Sequence, residues 1–164
     1  ARQDFENVIR VIEIYPETNV IFSDPSCIEL ANDLLKCSYM NKHIPQLVSY
    51  DTTFNLGNFY VSILVMRNTY IVGDPIFPVL FMVHEKKLLR THELFWGSFV
   101  KKLINLDKYG LNVPIITDRE NSIVSAILKS IDTAEINLIF CHNHLIRDIK
   151  HWLKSNNATQ DDMK

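Results

Sequence analysis

Three apolar runs fill the middle of this chain, and the links between them are too short for anything but reversals. Gln46 to Phe54 reads QLVSYDTTF, Phe59 to Met66 reads FYVSILVM, and Ile76 to His84 reads IFPVLFMVH. Asn55-Leu56-Gly57-Asn58 separates the first two, and Gly73-Asp74-Pro75 closes the second link. These are turn formers, and strand-length runs bounded by them read as β-strands. A parallel connection needs a crossover of a dozen or more residues, so these strands must be antiparallel neighbours. Pro78 lies inside the third run and has no N–H for a ladder, which predicts an edge strand or a bulge there.

After Thr91 the period changes. Phe95, Trp96, Phe99, Val100, Leu103 and Ile104 recur at helical spacing and predict an amphipathic helix with Phe95 and Trp96 in the core. Pro114 to Thr117 (PIIT) is a short buried strand that ends on Asp118. Asn121 is positioned to cap a helix with the stripe Ile123, Val124, Ile127, Leu128 and Ile131. Ile136 to Phe140 is a fifth strand, and a last helix is expected from about His144 to Lys154. Upstream, Asn7 to Tyr15 and Asn19 to Phe22 read as short strands around Pro16. A helix from Ser26 to Lys36 follows, with Ser26 and Glu29 at capping-box spacing.

The expected fold is therefore α/β. It is a mixed five-stranded sheet, three antiparallel strands followed by alternating helices and strands, with helices on both faces. That order is RNase H-like by analogy. Residues 1–45 are expected to form a strand and helix lead-in packed on the core, 46–154 the core itself, and 155–164 a polar tail.

Composition narrows the partners. The 164 residues are 47% hydrophobic and 22% charged, an ordinary globular balance, and the formal charge is −2. The chain as a whole lacks the basic excess usual in a DNA-binding domain, a mild argument against nucleic acid, although a net figure conceals local patches. Three cysteines, Cys27, Cys37 and Cys141, are too few and too uneven in number for a disulfide framework. Cys27 and Cys37 are expected as small core residues. No apolar run is long enough to span a membrane.

Two acids carry the candidate chemistry. Asp51 lies within an apolar strand, where an ionised carboxylate is costly unless paired or bound to a cation. Asp118 lies where a strand gives way to a helix, and an acid there also suits the helix dipole. In an RNase H-like sheet the first and fourth strands are neighbours, so by that analogy the carboxylates would face each other. Mg²⁺ prefers hard oxygen ligands and keeps several waters, so a few carboxylates suffice to hold it. Cys141 and His144 make a Cys-x-x-His, half a zinc site at most; His84, His92 and Cys37 could complete it only through tertiary contact. Arg147, Lys150, His151 and Lys154 share one face of the last helix, opposite Leu145, Ile149, Trp152 and Leu153. That face can contact phosphates or simply be solvated. Lys86, Lys87 and Arg90 form a smaller cluster with the same two readings.

Several of these motifs resemble the Mutator-like (MULE) transposase domain. Asp51-Thr52-Thr53-Phe54 resembles that family's Asp-x-Thr-[Phe/Tyr] opening. Pro114-Ile115-Ile116-Thr117-Asp118-Arg119-Glu120 is similar to its Pro-x-x-[Ile/Phe]-Thr-Asp segment, and Cys141-x-x-His144 to its Cys-x-x-His element. Ser23-Asp24-Pro25-Ser26, Pro75 to Phe81 and Ala126-Ile127 fall in matching places, and the resemblance covers roughly residues 19 to 154. It implies a DDE-type transposase of the RNase H-like superfamily. Asp51 and Asp118 become its first two catalytic, metal-binding acids, and Mg²⁺ or Mn²⁺ the cofactor. Cys141 and His144 become residues that organise the core or the DNA, and Arg147, Lys150 and Lys154 phosphate contacts. DNA as partner, a homodimer and a nuclear location go with the same resemblance, and the lack of a long apolar run adds the expectation of no membrane.

The family's third acid, a Glu, follows the Cys-x-x-His element after a helical insertion. Asp148 is too close to that element, and Asp161 and Asp162 fall in the polar tail. The expectation is that the sequence stops before the Glu, binds metal weakly and does not cut DNA alone. A domesticated, non-catalytic interaction module is the alternative. A proofreading-type exonuclease fits less well, because it calls for Asp-x-Glu where this strand has Asp51-Thr52-Thr53.

Overall fold

The computed structural model describes residues 8–41, 46–109, 113–131 and 137–156. Two short strands, β1 (Ile9–Glu13) and β2 (Asn19–Phe22), pair antiparallel across a turn containing the cis Tyr15–Pro16 bond. Helix α1 (Pro25–Met40) follows. Its cap is Asp24 rather than the expected Ser26: Asp24 Oδ1 accepts from the Ser26 N–H at 2.8 Å. This leaves Pro25 in the first turn, where no N–H is needed. The helix also runs past Lys36, closing with the Asn41 N–H on the Cys37 carbonyl. Ile28, Ala31, Leu34 and Leu35 form its buried stripe.

The three central runs form β3 (Leu47–Leu56), β4 (Phe59–Arg67) and β5 (Ile76–His84), an antiparallel meander. Helix α2 spans Leu89–Glu93, a wider π-helical stretch Leu94–Val100, and Lys101–Leu103. The widening suits its stripe: Phe95 and Val100 are five residues apart and both fully buried. A short turn of helix, α3 (Leu106–Tyr109), leads to β6 (Pro114–Thr117). Helix α4 (Asn121–Ser130), strand β7 (Asn137–Phe140) and helix α5 (His142–Ser155) complete the order. Glu120, not Asn121, is the residue at the α4 cap, and Ser122 Oγ donates to its carboxylate at 2.7 Å. The α5 cap is Cys141, three residues before the expected start. Ile136, the expected start of the last strand, lies outside the described residues.

The sheet has seven strands, not five, in the order β1-β2-β5-β4-β3-β6-β7. Its β3–β6 and β6–β7 pairs are parallel and the others antiparallel. The extra two come from the lead-in. Asn19 to Phe22 pairs with His84 to Phe81, and Phe22 stacks on Phe81 at 5.0 Å between centroids. β5 is therefore interior over Phe81–His84, while β2 does not reach the half that carries Pro78. Pro78 is accommodated by a bulge, at the register break between Leu64 and Val65.

One face of the sheet carries the core. Val48 and Tyr50, Leu64 and Met66, Leu80 and Met82, and Ile115 alternate toward α1, α2 and α4. Tyr50 sits against Phe95 (5.1 Å) and edge-on to Trp96 (5.3 Å). Gly97 lies where α2 meets α4: a Cβ there would be in contact with Ser130 Oγ at 3.4 Å. Helix α5 contributes no buried residue and reaches the opposite face of the sheet through its first turn.

Candidate functional site

The parallel register between β3 and β6 places the two candidate acids. Val48 aligns with Ile115, Ser49 with Ile116 and Tyr50 with Thr117. Asp51 and Asp118 occupy the next step. Tyr50 and Thr117 are buried toward the core, so alternation turns Asp51 and Asp118 to the other face, on strands ~4.8 Å apart. The Cys141 N–H donates to the Thr117 carbonyl at 2.8 Å and ties the start of α5 to the same strand end.

Both carboxylates are half-buried, at 30% and 21% side-chain exposure, and neither has a side-chain cation at hydrogen-bond distance among the described residues. His144 lies between them, with Nε2 3.9 Å from Asp51 and Nδ1 3.8 Å from Asp118. Arg147 Nη2 is 3.8 Å from the other Asp118 oxygen. These separations are electrostatic contacts rather than hydrogen bonds. The one short contact is local: the Arg119 N–H donates to Asp118 Oδ1 at 2.6 Å. His144 Nδ1 is buried without a hydrogen bond, another polar atom left unsatisfied here. Two half-buried acids thus stand side by side, with the His144 ring and the Arg147 guanidinium held only loosely against them.

The other predicted residues divide around this point. Cys141 caps α5 as a free, partly exposed thiol, while His144 reaches the acids. Arg147, Lys150, His151 and Lys154 are exposed along one side of α5, and Arg147 brings that side to Asp118. Lys86 and Arg90 pair with the buried carboxylate of Glu17, and Lys87 approaches Glu120 at 3.7 Å, so that cluster is internally engaged. Cys27 is only partly buried and Cys37 is exposed; neither is the core residue expected, because α1 turns Ile28, Ala31, Leu34 and Leu35 inward instead. Among the described residues no three His, Cys, Asp or Glu side chains gather as a metal-binding group, and none of the helices is long and apolar enough to cross a membrane.

Behind the acids lies a polar network that the sequence reading did not connect. His84 Nδ1 is 2.9 Å from the Lys86 carbonyl, which can only accept, so this nitrogen carries the proton. Burial keeps the imidazole neutral by lowering its pKa. His84 Nε2 then accepts from Ser62 (2.8 Å), and Ser62 accepts from Thr52 (2.7 Å), the residue after Asp51. Tyr50 OH and His92 Nδ1 are 2.8 Å apart. Burial, reinforced by His84 and Lys87, pushes the His92 pKa down to about 3. Burial also raises the Tyr50 phenol well above its usual value. The available signal was a Ser inside β4 and a His ending β5, both within otherwise apolar runs.

No protein-family model matches the chain, and no curated relative matches it.

Proposed function

We propose that this chain contains the metal-binding part of an RNase H-like core, of the Mutator-like DDE transposase type or derived from it, acting on DNA in the nucleus. The observation that carries this reading is the placement of Asp51 and Asp118 side by side, each one residue beyond the last register pair of two parallel strands, half-buried and with no basic side chain at hydrogen-bond distance among the described residues. The order β5-β4-β3-β6-β7 supports it too, since the first meander strand lies beside the first parallel one. Hard carboxylate oxygens fit Mg²⁺ or Mn²⁺, which can bind through only two protein ligands. Such an ion supplies Lewis-acid stabilisation of a reacting phosphate. Asp51 and Asp118 hold the cation; His144 and Arg147 border the position where a phosphate arrives; the exposed Lys150 and Lys154 continue that border.

The test is Mn²⁺ titration followed by thermal unfolding. A ligand that binds only the folded state raises the unfolding midpoint. The expected outcome is a concentration-dependent rise in the wild type and none in Asp51→Asn or Asp118→Asn. Equal shifts in all three proteins would remove Asp51 and Asp118 from the metal site.

A second reading is favoured by His144 and Arg147 themselves. The Arg147 guanidinium already stands against Asp118 and the His144 ring lies between the two acids, as a non-catalytic nucleic-acid or protein interaction module derived from such a core could have them. In that case the wild type shows no Mn²⁺ response while nucleic-acid or protein binding persists.

A further inference from the structure

The two acids are held in place differently. Asp118 follows Thr117, whose carbonyl accepts the Cys141 N–H, and its own Oδ1 accepts from the Arg119 N–H. Asp51 has no comparable bond outside its ladder among the described residues. The parallel β3–β6 pairing ends at Tyr50, one residue before it. The antiparallel β3–β4 register shifts between Thr52 and Phe54, just after it. Such a break bends the strand and can re-aim a neighbouring side chain. Sheet pairing therefore fixes Asp51 less firmly than the residues that precede it.

The residues on either side of Asp51 supply the missing hold. Tyr50 is fully buried, and its hydroxyl is 2.8 Å from His92 Nδ1. Thr52 Oγ1 is 2.7 Å from Ser62 Oγ. This second bond has a direction. His84 Nδ1 gives its proton to the Lys86 carbonyl, so Nε2 accepts from Ser62, and Thr52 donates to Ser62. Ser62 and His84 are both fully buried and already satisfy each other without Thr52. Their burial does not require the Thr52 bond. What that bond does is tie a partly exposed residue of β3 to the fixed interior.

We propose that Thr52 is a positioning residue for Asp51. Its hydroxyl, anchored on Ser62 and through it on His84, fixes the β3 backbone where the ladder loosens. It thereby sets where the Asp51 carboxylate stands relative to Asp118. The role rests on the reading of the two acids as a metal-binding pair. A packing role would depend on the shape of the Thr52 side chain, whereas the positioning role depends on its hydroxyl.

Two substitutions separate these roles. Thr52→Val keeps the branched shape and loses the hydroxyl; Thr52→Ser keeps the hydroxyl and loses the methyl. Mn²⁺ affinity is read from the electron paramagnetic resonance signal of the free ion, and stability from urea unfolding in EDTA. Thr52→Val is expected to weaken Mn²⁺ binding about tenfold, the low end of what outer partners of a metal ligand contribute. Thr52→Ser should bind Mn²⁺ like the wild type, whatever each variant loses in stability. Wild-type affinity in Thr52→Val, an equal loss in Thr52→Ser, or affinities that simply follow stability in EDTA would overturn the positioning role. Mn²⁺ binding that is absent from the wild type, or that survives in Asp51→Asn, would instead overturn the metal reading itself and this role with it.

Discussion

Tyr50 and Thr117 face one side of the sheet; Asp51 and Asp118, one residue further on, face the other. The first side is closed: Tyr50 is fully buried among Phe95, Trp96 and His92, and its hydroxyl is hydrogen-bonded. The second side is open, with partly exposed carboxylates and the His144 ring and Arg147 guanidinium nearly 4 Å away. Strand alternation thus puts a tightly packed aromatic cluster directly behind the two acids. A rigid interior fixes where the acids stand, while their own face stays free to accept a ligand.

The largest expected effect lies on the closed side. Trp96→Ala should cost about 3–5 kcal/mol in urea unfolding, because it removes a fully buried aromatic and leaves a cavity. A cost below about 1 kcal/mol would show that the cluster is not the rigid backing described.

Acid should act on the same side. His84 and His92 are held neutral, below the ordinary value of 6.5. As pH falls, the unfolded chain takes up their protons before the folded one does. Their contribution is therefore complete above about pH 6.5 and declines on acidification, for His92 until about pH 3. The loss approaches about 1.4 kcal/mol per pH unit for each imidazole. His92→Gln keeps a polar partner for Tyr50 and should flatten this slope. An unchanged slope would assign the acid sensitivity elsewhere.

Tyr50→Phe should have a smaller effect, about 1–2 kcal/mol, since it removes one buried hydrogen bond and leaves the ring packing intact. On the open side, Asp51→Asn and Asp118→Asn should change metal-free stability by less than about 0.5 kcal/mol, or raise it slightly by relieving two like charges. A loss comparable to that of Trp96→Ala would erase the contrast between the faces.

The parts of this arrangement that were legible in the sequence are those set by local pattern. The meander followed from three apolar runs and their short links, and β6 from PIIT ending on Asp118. Phe95 and Trp96 declared themselves as core through their helical spacing, and the structure buries both completely. What the sequence left hidden depends on distant partners. Strand β1 is largely exposed and shows no clean alternation, so nothing local signals that it and β2 extend the sheet beyond β5. The direction of the Thr52–Ser62–His84 hydrogen bonds follows from a carbonyl at Lys86 and from three aligned strands. The amphipathic pattern of α5 was readable, but the exposure of its apolar side was not, because a periodicity does not say what covers it. His144 stood out only as half of a Cys-x-x-His pair; the first turn of α5 brings it between two acids from other strands.

Joint binding of a divalent cation by Asp51 and Asp118 can be seen in a crystal of this chain soaked in Mn²⁺, by anomalous scattering. The expected result is a peak within coordination distance of both carboxylates, and its loss in Asp118→Asn. An empty site in the wild type, or a peak that survives the substitution unchanged, would contradict it.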